Sequence, residues 1–323
     1  MKEMEFILVT LIVLITFWNV SDGSKIPIIV DTDIGNWKDD PGALSMLHRF
    51  ADINLIDIRA IMANSRYEGI VSVIESINLY FNRTSIQIGI TKDSNASDYL
   101  ISLWPKYVYD HYDHPMFQIN DQAEDAVPLY RRMLATSRNN SVIILSIGFF
   151  YNLARLIESG PDQYSHLNGY ELIEQKVYRL VAMAGEFPTG HEWNIAIGAE
   201  AAKLALKRWP TSVVFVGFES GDHFDCGNDP KYWTPSTINS PIRKAWEIIH
   251  DDYIGCFDQI AAFIAVFGVD PFYTQIYGSI EILSNGTNYW VNSMNNTPTK
   301  MSYVRQKIDD ITIVDIINFW MEN

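Results

Sequence analysis

At 323 residues with 48% hydrophobic and 13% aromatic side chains, the chain has the apolar content to bury a large core, which excludes an intrinsically disordered protein. Lys and Arg total 24 against 39 Asp and Glu, and the resulting charge of −15 repels phosphate backbones and anionic bilayers while attracting cations. Nucleic-acid partners and a stable membrane partner are disfavoured; a neutral small molecule with a divalent metal fits better.

Residues 1–24 read as a signal peptide, with an uninterrupted apolar run from Phe6 to Trp18 followed by Ser21-Asp22-Gly23-Ser24. An uncleaved anchor is the alternative, but the run is short for a span and Glu3 and Glu5 sit beside Lys2. Residues 25–323 read as one domain. Short β-branched runs alternate with longer amphipathic stretches, the pattern of βαβ units, so the fold class is α/β with a mostly parallel central sheet flanked by helices. Strands are predicted at Ile26 to Val30, Leu55 to Met62, Ile86 to Ile90, Val142 to Leu145, Val177 to Ala182 and Val213 to Val216. Helices are predicted around Ile70 to Phe81, Ala126 to Thr136 and Ala199 to Lys207. Ser97 to Asp121, rich in aromatics such as Trp104 and Tyr107, reads as a loop excursion. After Pro241 come helical stretches to about Asp251 and from Phe257 to Val266, a hairpin around Asn285-Gly286 and a last helix near Ile311 to Met321.

Five N-x-[ST] sequons follow the signal segment, at Asn82, Asn95, Asn139, Asn285 and Asn295, and suit a glycoprotein of an oxidising compartment. The two cysteines, Cys226 and Cys256, are compatible either with one bridge or with two buried thiols.

The chemistry is concentrated after the first strand, in Asp31-Thr32-Asp33-Ile34-Gly35-Asn36-Trp37-Lys38-Asp39-Asp40-Pro41. In open parallel sheets ligands bind at this carboxyl edge. Pro41 suits the first position of a helix and Asp40 its N-cap, which puts Asp39 and Asp40 at the positive end of a helix dipole. Capping needs one carboxylate, and four crowded together repel unless a cation neutralises them, so a hard, oxygen-preferring metal is the better explanation. No zinc motif is present, and each of the seven histidines reads more readily as structural or surface than as a ligand.

This D-x-D…D-D pattern resembles the signature of the inosine-uridine preferring nucleoside hydrolase family, in the branch with two extra residues before the aspartate pair. The resemblance continues in order. Met62-Ala63-Asn64 lies where that family carries a ribose-contacting Asn, and Ser146-Ile147-Gly148 looks like its T-G-P turn. Met183-Ala184-Gly185-Glu186 with Glu192-Trp193-Asn194 resembles its M-G-G…E-F-N segment, and Phe257-Asp258-Gln259 its late Asp.

The resemblance implies a Rossmann-like nucleoside hydrolase fold and a secreted, calcium-dependent enzyme that cleaves the N-glycosidic bond of ribonucleosides to free base and ribose. It implies that Asp33, Asp40, Asp258 and the Ile147 carbonyl hold Ca2+, and that Asp33 also takes the proton of the attacking water. Asp39 would accept from the ribose 2′-hydroxyl, and Asn64, Glu192 and Asn194 would hold the other hydroxyls. A homodimer or homotetramer is compatible with the resemblance.

Two departures stand out. Phe257 occupies the position where many family members carry a histidine that protonates the leaving base, and Gly198-Ala199-Glu200 replaces the usual D-P-E. Phe257 with Trp37, Trp104 or Trp193 is expected to sandwich a base, which leans toward purines. The rivals are a catalytically weak nucleoside-binding protein on the same scaffold and a haloacid-dehalogenase-like phosphatase. The phosphatase pattern wants Thr or Val where Gly35 stands, and it leaves Asp39-Asp40 unexplained.

Overall fold

The computed structural model describes residues 24–100, 102–227, 239–249 and 255–322. The signal-peptide reading of residues 1–24 therefore lies outside the described residues except for Ser24, and so do Asp251 and the stretch around it. The strands in chain order are β1 (Ile26–Thr32), β2 (Ile56–Ala63), β3 (Gln87–Ile90), β4 (Glu124–Asp125), β5 (Val142–Ile147), β6 (Val177–Met183), β7 (Thr189–Gly190), β8 (Ser212–Val216), β9 (Tyr273–Ile282), β10 (Asn288–Asn292) and β11 (Met301–Gln306). They form one sheet in the order β4-β3-β2-β1-β5-β6-β8-β11-β9-β10-β7. From β4 to β11 all neighbours are parallel; β9, β10 and β7 are added antiparallel at one edge.

Chain order runs outward from β1 through β2, β3 and β4, then returns to place β5 on the other side of β1. That reversal opens a crevice at the carboxyl ends of β1 and β5, the switch point at which doubly wound sheets bind ligands. The strands at this point are continuous apolar runs because both faces are covered. Alternation along β1 divides the core: Ile28 and Val30 pack into the cluster on one face, and Ile29 into the cluster on the other.

The helices are α1 (Asp39–Asp52), α2 (Ile70–Tyr80), α3 (Trp104–His111), α4 (Ala126–Ala135), α5 (Tyr151–Glu158), α6 (Gly169–Lys176), α7 (Trp193–Ala196), α8 (Ala199–Arg208), α9 (Pro241–Ile248), α10 (Phe257–Phe267) and α11 (Asp310–Glu322). Helix α10, FDQIAAFIAVF, is apolar nearly all round, and a helix of that kind belongs inside. It packs against α1, β5 and β6. Gly42 makes the α1 contact possible, since a Cβ there would stand 2.7 Å from Gln259 Nε2 of α10 and 2.8 Å from Met321 Sδ of α11. The first turns of α1 and α10 are thereby brought to the same end of the sheet.

The predicted helices and the six predicted strands match to within a residue or two at their ends, except that the stretch read from Pro241 to about Asp251 is helical to Ile248. Several expectations change. Helix α1 begins at Asp39 with Lys38 in the cap position, so Asp40 is the second helical residue, not the cap; both aspartates remain in the first turn. The supposed loop excursion contains α3, started by Pro105, with Trp104 fully buried in the core. Asn285-Gly286 does lie between paired strands, β9 and β10, and these extend the central sheet through β11.

Cys226 and Cys256 are bridged, with Cα atoms 5.8 Å apart and a sequence separation of 30. The bridge anchors the residue immediately before α10 to the segment that follows β8. Closing a loop of that length removes about 3–4 kcal/mol of unfolded-state entropy. Cys226→Ala/Cys256→Ala is accordingly expected to lower the denaturant midpoint by a corresponding amount in equilibrium unfolding, and an unchanged midpoint would refute this.

Candidate active site

The carboxyl ends of β1, β5, β6 and β8 surround a cavity of about 380 Å³ lined by Asp33, Asp39, Asp40, Ile147, Met183, Glu192, Asn194 and Asp258, among others. Asp33 lies just beyond β1, Asp39 and Asp40 form the first turn of α1, and Asp258 is the second residue of α10. Ile147 ends β5 opposite Thr32. Asp39, Asp40 and Asp258 present carboxylate oxygens all within 4.8 Å of one another. The expected metal set named Asp33 in place of Asp39; both line the same cavity.

All four carboxylates are buried. Burial raises each pKa: Asp39 reaches about 6 from the ordinary 3.8 despite the moderating charge of Lys38, and Asp33, Asp40 and Asp258 are pushed well above the ordinary range. Mutual repulsion adds to burial. Asp39 acts on Asp33, Asp33 and Asp39 act on Asp40, and all three act on Asp258. Such a set is costly as bare anions and costs little when a hard cation with six to eight oxygen ligands sits among them, so these residues fit a divalent metal.

Supporting contacts hold the cluster in place. Thr32 Oγ1 donates to Asp40 Oδ1 and accepts from the Ile34 N–H at 3.1 Å. Gly148 leaves room for Asp33, because a Cβ there would lie 2.6 Å from Asp33 Oδ1 and from the Asp33 nitrogen. Asp31 turns away from the cavity with Ile29, as strand alternation requires. It accepts from Tyr130 Oη at 2.7 Å, Asn64 Nδ2 at 2.6 Å and Asn152 Nδ2 at 3.2 Å, while burial lifts its pKa to about 7. Asp31 is thus a buried tie between β1, α4 and α5.

Apart from Trp104, Asn64 is the expected site residue that the structure does not bring to the cavity wall. It is fully buried; its Nδ2 donates to Asp31 and its Oδ1 accepts from the Phe149 N–H at 3.1 Å, so its amide positions β1 and the β5–α5 turn. Glu192 and Asn194 do line the cavity. Glu192 is the N-cap of α7 and accepts from the N–H groups of Gly185 at 2.9 Å, Asn194 at 2.6 Å and Ile195 at 3.2 Å. A carboxylate has about four acceptor sites, so one remains for a ligand hydroxyl. Asn194 Nδ2 donates to the Met183 carbonyl at 3.0 Å, which fixes the amide and leaves its oxygen available.

The outer wall is aromatic: Trp37, Trp193, Phe218 and Phe257. Trp37 and Trp193 are 41% and 42% exposed, too open for core packing. Phe218 and Phe257 stack with centroids 5.1 Å apart at 22°. Trp104 drops out of the expected sandwich because α3 buries it in the core. Sequence reasoning missed Phe218 and His191, and quoted Glu186 within a motif without giving it a role. Phe218 follows β8 at the carboxyl edge, where strand position alone could have marked it, whereas His191 directly precedes the capping Glu192 and has no motif of its own.

An acidic floor suited to a cation, hydroxyl acceptors beside it and a flat aromatic mouth define a site for a polyol joined to a ring. Fold and site together place the protein among α/β enzymes that act on N-glycosyl compounds. The family model of the inosine-uridine preferring nucleoside hydrolases matches residues 28–283, and the chain belongs to that family. Among solved structures it is similar to the inosine-uridine preferring nucleoside hydrolase of Bacillus anthracis, with 18% identity, a TM-score of 0.66 and coverage of 92% of this chain and 99% of that one. A plant nucleoside hydrolase superposes with 18% identity, a TM-score of 0.62 and coverage of 92% and 98%. The purine-preferring ribonucleoside hydrolase of Gardnerella vaginalis does so with 15% identity, a TM-score of 0.64 and coverage of 92% and 98%. No curated protein sequence matches the chain.

Proposed function

We propose that this protein is a secreted, calcium-dependent ribonucleoside hydrolase that favours purine nucleosides. The observation that carries the reading is the convergence of Asp33, Asp39 and Asp40 with the distant Asp258 around one cavity whose mouth is aromatic. Asp33, Asp40, Asp258 and the Ile147 carbonyl are the groups that would hold calcium, with Asp39 close enough to Asp40 and Asp258 to join them. Bound there, the ion supplies a Lewis acid that lowers the pKa of a water and orients a sugar diol. Asp33 takes the proton from the attacking water. Asp39 accepts from the ribose 2′-hydroxyl, the free lone pair of Glu192 and the Asn194 oxygen take further hydroxyls, and the growing positive charge on the sugar is stabilised by the acidic floor.

Trp37, Trp193, Phe218 and Phe257 offer stacking faces to a base, each worth about 0.5–1.5 kcal/mol beyond area burial. A two-ring purine gains more from them than a pyrimidine. Secretion is supported by the apolar run from Phe6 to Trp18, the bridged cysteines and the exposure of all five sequon asparagines. Incubation with inosine, adenosine, guanosine and uridine is expected to release base and ribose, with purine kcat/KM about tenfold above uridine and the gap narrowing in Phe257→Ala. Equal turnover of inosine and uridine would remove the purine preference, and tight binding without release would replace the hydrolase by a binding protein.

A further inference from the structure

Breaking an N-glycosidic bond leaves an electron pair on a base nitrogen, and a proton delivered to the base in the transition state is worth about 10²–10⁴-fold in rate. Phe257 has no proton to give. Asp33, Asp39, Asp40 and Asp258 are gathered at the sugar end, and Glu192 is engaged by three backbone N–H groups. Of the remaining wall residues among those described, two are ionisable: Glu186 and His191. Glu186 Oε2 accepts from the His191 N–H at 3.3 Å and crowds Gly190, where a Cβ would lie 2.1 Å away, so it is folded back on its own loop.

We propose that His191 is the acid that protonates the leaving base, a role that rests on the nucleoside-hydrolase reading and extends it. Its Nε2 lies 2.9 Å from the Asn285 carbonyl oxygen. A carbonyl only accepts, so Nε2 carries a hydrogen and Nδ1 is the ring atom left to exchange a proton with a substrate. The ring is exposed on the cavity wall, as a group that recovers protons from solvent requires.

The antiparallel addition to the sheet holds the histidine. Strand β7, which precedes His191, pairs with β10; Asn288 of β10 accepts from the Glu186 N–H at 3.0 Å and donates to the Glu186 carbonyl at 2.8 Å, and the Trp290 N–H donates to Pro188 at 2.8 Å. The hairpin turn that supplies the Asn285 carbonyl is seated on α7, since a Cβ on Gly286 would be 2.6 Å from the Ala196 Cα. The hairpin therefore holds the imidazole through Nε2, and the pairing of β7 with β10 holds the backbone that carries it.

In the step itself the anomeric carbon–nitrogen bond breaks with its electron pair going to the base. The Nδ1 proton of the imidazolium moves to a base nitrogen, and water adds hydroxide to the anomeric carbon while its other proton passes to Asp33. Base, ribose, neutral His191 and protonated Asp33 account for every atom, and solvent restores both side chains.

The test compares inosine with p-nitrophenyl β-D-ribofuranoside, whose nitrophenolate leaves without protonation, using the full calcium-loaded chain. His191→Gln and His191→Ala are expected to lower inosine kcat by about 100-fold but nitrophenyl riboside turnover by less than about threefold, with the melting temperature unchanged. Undiminished inosine turnover, or equal losses on the two substrates, would overturn the acid role. A wild-type chain inert toward both would instead overturn the hydrolase reading, and the proposal with it.

Discussion

Asp33→Asn is expected to lower turnover of any accepted nucleoside by at least about 10³-fold, because in the proposed mechanism one substitution removes both the base for the attacking water and a ligand for the cation. The same change is expected to stabilise the metal-free protein at alkaline pH. Burial, followed by repulsion from Asp39, raises the folded-state pKa of Asp33 well above 3.8, so its contribution to stability is full below that value and is lost as pH rises through the folded pKa. Asparagine mimics the neutral acid and escapes the loss. Thermal unfolding in chelator at pH 5 and pH 8 checks this: the advantage of the variant over wild type should be larger at the higher pH. A variant less stable at both would indicate that Asp33 is held by favourable contacts and not crowded by its neighbours.

Chelation produces the second large effect. Removing divalent metal is expected to reduce activity more than about 100-fold, with calcium restoring it better than magnesium, whose small octahedral shell suits a crowded all-protein cage poorly. Calcium at a thousandfold excess over its Kd contributes about 4 kcal/mol to folding, a melting shift on the order of 10 °C. The pH dependence gives an independent readout. Asp31 at about 7, Asp39 at about 6, and Asp33, Asp40 and Asp258 above the ordinary range all have raised pKa values, so metal-free protein should lose stability steadily as pH rises from about 4 through 7 and beyond. Calcium should flatten that slope for the cavity carboxylates and leave the part due to Asp31, which faces the opposite core. Activity insensitive to chelator, or a melting curve unmoved by calcium, would remove the metal from the account.

Much of this was legible in one dimension, for reasons of period and repulsion. Alternating β-branched runs and amphipathic stretches specify a parallel sheet with helices on both faces, since each pattern can bury only the surface its own geometry presents. Four aspartates between positions 31 and 40 point to a cation, because carboxylates that share a cavity repel unless one offsets them, and three of the four do line one cavity. What could not be read is which of them share a cavity. Asp31 leaves the cluster because strand pleating points it at Tyr130 and Asn152, and Asn64 follows it as a hydrogen-bond partner. Asp258 joins because an apolar helix can be buried beside α1 only where Gly42 lets it approach. Trp104 and Phe218 trade places for a similar reason: α3 folds the first into the core, and the turn after β8 exposes the second. Residue type and local period determined the chemistry available and the class of fold; packing between segments far apart in the chain decided which side chains meet, since those contacts depend on distances that no local pattern encodes.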